Sequence, residues 1–210
     1  VGHVQQADAK QVDLALSNAE RSFDSWAGSP AGHRSAILER GAELLQEHML
    51  SLVSLLIREA GKTGANAVSE VREAIDFLRY YATQIRSGFE HEDHVALGPV
   101  VCISPWNFPL AIFTGQVAAA LAAGNTVLAK PAEQTPLIAA LAVRLLWKAG
   151  VPQGVLQLLP GQGETVGAQL VGDARVQGVL FTGSTQVARL LQHQLSRRLN
   201  KAMKQIGRAH

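Results

Sequence analysis

The chain of 210 residues is long enough to bury a substantial core, and 47% hydrophobic against 17% charged residues excludes disorder over most of its length. A formal net charge of +2 is too small to point to nucleic acid or a membrane surface, so a small molecule is the expected partner. The lone cysteine, Cys102, excludes an internal disulfide and fits a reducing, cytoplasmic compartment.

The first ten residues are too polar for a signal peptide. Asp8 reads as the N-cap of a first helix carrying Val12, Ala15, Leu16, Ala19, Phe23 and Trp26 at steps of three or four and ending near Gly28. A second amphipathic run follows Pro30, with Ile37, Leu38, Leu44 and Leu45 on one face. A third places Val53, Leu56, Ile57 and Ala60 together before Gly61 stops it. The fourth run opens at Gly64, and its core face is expected to be Val68, Val71, Ile75, Leu78, Ala82 and Ile85. Residues 1–90 therefore form a helical part.

Gly88 to Ala96 has no apolar period and reads as a surface connector. Within it, His91 and His94 have metal-compatible spacing only if helical, and with no third ligand nearby they read as solvated residues, so no metal is expected. Over 98–199 the pattern changes to short β-branched runs at Val100–Ile103, Thr126–Leu128, Val155–Leu159 and Val179–Phe181. These alternate with helical stretches near 110–123, 136–149, 164–171 and 184–199. The apolar stretch Phe108 to Ala123 is too short and too interrupted to span a bilayer and reads as a buried helix. Such β-α alternation predicts an α/β fold, a Rossmann-like parallel sheet with helices on both faces, and a ligand site beyond the carboxyl ends of the strands. Ser196 to His210 carries five basic residues and no acid, and reads as a helix end followed by a frayed basic tail over 200–210.

Four strings follow the four strands. Ile103-Ser104-Pro105-Trp106-Asn107-Phe108-Pro109 is bracketed by prolines that fix the backbone around Asn107. It is either a rigid loop presenting a side-chain amide to an oxyanion, or a plain turn with Trp106 in the core. Lys130-Pro131-Ala132-Glu133 sets an ammonium and a carboxylate three residues apart, suited to ribose hydroxyls; a snorkelling surface lysine is the other reading. Pro160 to Gly167 has a G-x-G-x-x-x-G spacing, one residue off the dinucleotide fingerprint. Phe181-Thr182-Gly183-Ser184-Thr185 opens a helix whose free N–H groups suit a pyrophosphate, with Ser184 as ligand contact or simply as N-cap. A carboxylate at Glu133 should repel a 2′-phosphate, favouring NAD over NADP.

In this order, and with Glu59-Ala60-Gly61-Lys62-Thr63 upstream, the strings resemble the aldehyde dehydrogenase superfamily over about residues 8 to 195. Thr114 to Leu121 and Phe181 to Gln192 look most like the 1-pyrroline-5-carboxylate dehydrogenase domains of bifunctional proline utilization A proteins. The resemblance implies an NAD-dependent oxidation of glutamate γ-semialdehyde to glutamate in proline catabolism. It assigns Asn107 to the oxyanion hole, Lys130 and Glu133 to the adenosine ribose, and Ser184 to the pyrophosphate. Ile103, Trp106, Gly163 and Val187 would line the cofactor, and Ser104, Gly167, Phe181 and Gly183 complete the cofactor-binding set.

The family's catalytic cysteine and general-base glutamate lie downstream of the F-T-G-S-T loop and have no counterpart here. The chain is therefore expected to be cut before the catalytic domain and inactive alone. Cys102 lies on the strand before the Asn107 loop and reads as a small buried hydrophobe, and Ser104 lacks a nucleophile elbow. The expected partners are NAD and a small aldehyde, with assembly as a homo-oligomer left open. The alternative reading is a non-catalytic nucleotide-binding or self-associating fragment.

Overall fold

A computed structural model describes residues 2–88, 94–197 and 204–205. Helix α1 (Ala9–Ala27) starts at a capping box in which Asp8 Oδ1 accepts from Gln11 N at 2.8 Å and Gln11 Oε1 accepts from Asp8 N at 2.9 Å. Helices α2 (Ala31–Glu47), α3 (Met49–Ala60) and α4 (Gly64–Gly88) follow, α3 ending at Gly61 with a left-handed φ of 67°. The alternating half runs β1 (Pro99–Ile103), α5 (Ala111–Ala122), β2 (Thr126–Lys130), α6 (Pro136–Ala149) and β3 (Leu156–Leu158). It continues through α7 (Ala168–Gly172), β4 (Gly178–Phe181), α8 (Thr185–Ser196) and β5 (Lys204–Gln205).

All pairings are parallel, in the order β3-β2-β1-β4-β5, as the crossover lengths require. The chain winds from β1 outward through β2 to β3, then returns to place β4 on the other side of β1. The direction of winding therefore reverses between β1 and β4, and there the carboxyl-end loops diverge to leave a crevice.

Alternate residues of each strand feed opposite faces. Val100, Cys102, Val127, Ala129 and Leu156 join the core shared with α2 to α6, whereas Val101, Leu128, Val179 and Phe181 join the core beneath α1, α7 and α8. The helices of the first ninety residues consequently pack on both sides of the sheet. Helix α1 lies on one face of the sheet, where Val12, Ala15, Leu16 and Ala19 meet Val101 and Leu128, while α2 to α4 form a further layer over α5 and α6 on the other. Among the described residues, no helix is long and apolar enough to cross a membrane.

Three local expectations are corrected. Ile57 and Val68 are each 41% exposed rather than core. On α4 the buried stripe instead takes in Ala67 and Ala74, whose small side chains allow close approach to neighbouring helices and shift the stripe off Val68. Gly163–Gly167 is a single π turn ahead of the short α7 rather than the start of an α-helix. Lys204–Gln205, expected in a frayed tail, pairs as β5 with Gly178 and Val179, a backbone ladder that needs no apolar side-chain pattern. The rest of that tail, 198–203 and 206–210, lies outside the described residues, as does His91.

Candidate functional site

At the carboxyl ends of β1, β2, β3 and β4, four loops enclose a cleft of about 800 Å³. Its walls include Ile103, Ser104, Trp106, Asn107, Lys130, Glu133, Gly163, Gly167, Phe181, Gly183, Ser184 and Val187, all twelve of the residues singled out from the sequence. The reason is topological: each motif directly follows a strand of one parallel sheet, so all emerge at the same edge.

The loop after β1 is held at both ends. Ser104 N donates to Lys130 O at 3.3 Å, and Pro109 leads directly into α5. Trp106 is 57% exposed, which removes its reading as a core side chain. Asn107 is exposed in the cleft and makes no side-chain hydrogen bond among the described residues, leaving its amide donors free. Ser104 is buried with an unpartnered Oγ at the base of the same loop.

Lys130 is not a snorkelling surface residue, being only 3% exposed. Its Nζ donates to Pro131 O at 3.2 Å and to Glu133 Oε1 at 3.0 Å. The same Glu133 oxygen accepts from Gly163 N at 2.7 Å, so the loops after β2 and β3 are stitched together through one carboxylate. The Lys130 stem passes Gly167 closely enough that a Cβ there would touch it at 3.6 Å. Burial pushes the Glu133 carboxyl up, but its own backbone N–H, the Lys130 ammonium and the Gly163 N–H outweigh that and hold it below the ordinary carboxylate range. Gly161 and Gly183 are dictated by close approach: a Cβ would lie 2.4 Å from Val166 Cγ2 and 2.6 Å from the Phe181 ring respectively.

Ser184 is the N-cap of α8, its Oγ accepting from Val187 N at 3.3 Å. This fills the capping role at the start of a twelve-residue helix whose Ser184 and Val187 line the cleft. Cys102 is fully buried among apolar residues on the face of β1 toward α5, and desolvation pushes its thiol far above the ordinary range.

Sequence reasoning missed the fourth wall. Leu190, Leu191 and Gln194 of α8 line the cleft beside Val187, a helical stripe on an otherwise polar helix that periodicity could have found. It also missed Gln116, whose Nε2 donates to Ile103 O at 3.2 Å and to Thr182 Oγ1 at 3.0 Å, tying the tips of β1 and β4 together. A lone glutamine in a buried helix gave no such signal. A broader depression along the outer face of α4, from Gly64 to Tyr80, shares no lining residue with the cleft.

A parallel sheet wound outward in both directions from β1, with a cleft at the switch point, defines a doubly wound α/β protein. The chain belongs to the aldehyde dehydrogenase family, whose profile matches residues 1–207. It is 62% identical over 200 residues to the bifunctional protein PutA of Escherichia coli (strain K12), an alignment covering 95% of this chain and 15% of that protein. It is 39% identical over 199 residues to the 1-pyrroline-5-carboxylate dehydrogenase of Bacillus subtilis (strain 168), covering 89% of this chain and 39% of that enzyme. Among solved structures, a bifunctional proline utilization A protein superposes with a TM-score of 0.95 at 44% identity, covering 100% of this chain and 22% of that one. A 1-pyrroline-5-carboxylate dehydrogenase from Thermus with bound NAD superposes with a TM-score of 0.87 at 36% identity, covering 97% and 42%. The chain thus spans well under half the length of each of these relatives.

Proposed function

We propose that this chain is the NAD-binding part of an NAD-dependent aldehyde dehydrogenase that oxidises L-glutamate γ-semialdehyde, the open form of 1-pyrroline-5-carboxylate, to glutamate in proline catabolism. The observation that carries this reading is the convergence of four strand-end loops on one cleft at the switch point of the sheet. Its donor set suits a dinucleotide: Lys130 and Glu133 would hold the adenosine ribose, and Ser184 with the α8 N-terminus the pyrophosphate. Ile103, Trp106, Gly163 and Val187 would form the walls, and Ser104, Gly167, Phe181 and Gly183 the close backbone approach. Bound NAD would supply the hydride acceptor.

The chain's own part in the chemistry falls to Asn107. Its amide N–H groups stabilise negative charge developing on the aldehyde oxygen, and the proline-bracketed loop spares that step a reorganisation cost. These residues contribute binding and oxyanion stabilisation to the reaction. A cytoplasmic setting fits the lone, unpaired thiol.

The apolar rim of the cleft, with Trp106, Phe108, Val187 and Leu190 exposed, favours a second reading, a self-associating fragment without catalysis. Calorimetric titration of NAD combined with sedimentation velocity separates the two. Saturable NAD binding by the chain supports the first reading; concentration-dependent association with no heat of NAD binding refutes it in favour of the second.

A further inference from the structure

The helices that follow the two polar cleft loops are capped from another layer of the protein. Neither α5, with Leu110 at its N-cap, nor α6, with Thr135, has a side-chain cap of its own. Instead Glu70 Oε1 accepts from Leu110 N at 2.9 Å and Ala111 N at 3.3 Å. Glu59 accepts from Leu137 N at 2.7 Å through Oε1 and from Ile138 N at 2.8 Å through Oε2. These carboxylates come from the last turn of α3 and the first half of α4. Between them sits Lys62, whose Nζ pairs with Glu70 Oε2 at 2.9 Å and lies 4.1 Å from the centroid of the Phe108 ring.

We infer that the α3–α4 junction is a positioning clamp for the cleft: Glu70 with Lys62 fixes the Asn107 loop, and Glu59 fixes the Lys130–Thr135 loop. A carboxylate only 2% exposed, as Glu70 is, persists in the folded state only when its charge is met. Here it is met by an ammonium, two backbone N–H groups and the positive end of α5. The loop cannot slide along the cleft without uncovering that charge, and the stacking of Phe108 on Lys62 restrains the residue next to Asn107 as well. Had α5 and α6 been capped by Ser or Asp within their own loops, each loop would have been tied only to its own helix. The remote caps tie both to one rigid junction, so their spacing across the cleft is set by a single element.

The consequence for ligand binding rests on the NAD reading above, whereas the clamp itself does not, so it is measured first without nucleotide. Amide hydrogen exchange by NMR on the full chain compares Glu70→Ala, Glu70→Gln and Glu59→Ala. Ser35→Ala serves as control, removing a buried hydrogen bond of the same helical layer, Ser35 Oγ to Ala82 O, without touching either loop.

Glu70→Ala should speed exchange at Leu110 and Ala111 by about tenfold or more relative to the control, and Glu59→Ala should do so at Leu137 and Ile138 instead. Glu70→Gln, which keeps an acceptor, should restore most of the protection. NAD should then bind Glu70→Ala at least several-fold more weakly than it binds the control. Equal acceleration at all four amides, or a pattern matching Ser35→Ala, would reduce the effect to ordinary loss of stability and overturn the clamp. Separate acceleration with unchanged NAD affinity would overturn the positioning role. If the unsubstituted chain binds no NAD, the functional reading fails and the exchange pattern alone decides the clamp. Should Glu70→Ala not fold, Glu70→Gln and Glu59→Ala carry the same site-by-site comparison.

Discussion

Replacing Lys130 with Met isolates one donor of the cleft. An ammonium offers three hydrogens, and two are committed within the protein, to Pro131 O and to Glu133 Oε1. One remains for a ligand hydroxyl. Methionine keeps an unbranched stem to run past Gly167, so the packing is retained while the charge and the donors are lost. A hydrogen bond from a charged donor contributes about 1.5–3 kcal/mol, which corresponds to roughly a 10- to 150-fold rise in Kd for NAD.

The folded state should suffer less than binding does. The partner carboxylate, Glu133, is about a third exposed and keeps the Gly163 N–H, so water and that bond compensate much of the lost ion pair. Isothermal titration calorimetry of both proteins at one ionic strength reads the ratio directly. An unchanged affinity would refute the ribose assignment and leave Lys130 as an anchor for Glu133 alone. A loss far above a thousandfold, about 4 kcal/mol, would show that the substitution had disordered the loop instead of removing one bond.

Glu133→Gln should improve NADP binding relative to NAD by about 1–2 kcal/mol, the repulsion between a carboxylate and a phosphate across a solvated cleft, and equal ratios by calorimetry would refute it. Because the Glu133 pKa is lowered in the folded chain, its contribution to stability is present above the unfolded carboxylate pKa and is lost as pH falls through the folded value. The acid limb of Tm against pH should therefore be shallower in Glu133→Gln. The Cys102 thiol, buried and held protonated, should resist a thiol-exchange reagent in the native chain and react within seconds once urea unfolds it; fast native labelling would refute its placement. With glutamate semialdehyde and NAD, the 210-residue chain should produce no NADH, since Cys102 cannot reach the cleft; turnover abolished by Cys102→Ala would overturn this.

The strands were legible because each β-branched run is bounded by residues that stop it. All four begin and end within two residues of where the pattern places them, and Asp8 and Gly61 act as the caps their chemistry suggests. The twelve cleft residues were legible for a different reason. Every motif immediately follows a strand, and a parallel sheet delivers all such loops to one edge whatever their individual sequences.

What periodicity could not convey is the identity of a neighbour. The stripe on α1 states that a face is covered, but not that the sheet covers it while α2 to α4 lie on the far side. The same limit hid the clamp. Glu59 and Glu70 stand in amphipathic helices where an acid reads as solvated, and both are instead turned inward by donors that belong to other elements: the free N–H groups of α5 and α6. Those N–H groups leave no mark in a sequence, since every residue but proline carries one. A buried acid facing a helix N-terminus is therefore decided by the tertiary fold. The absence of a local capping residue at Leu110, where an exposed helix would ordinarily have Ser, Thr, Asp or Asn, is its one sequence trace.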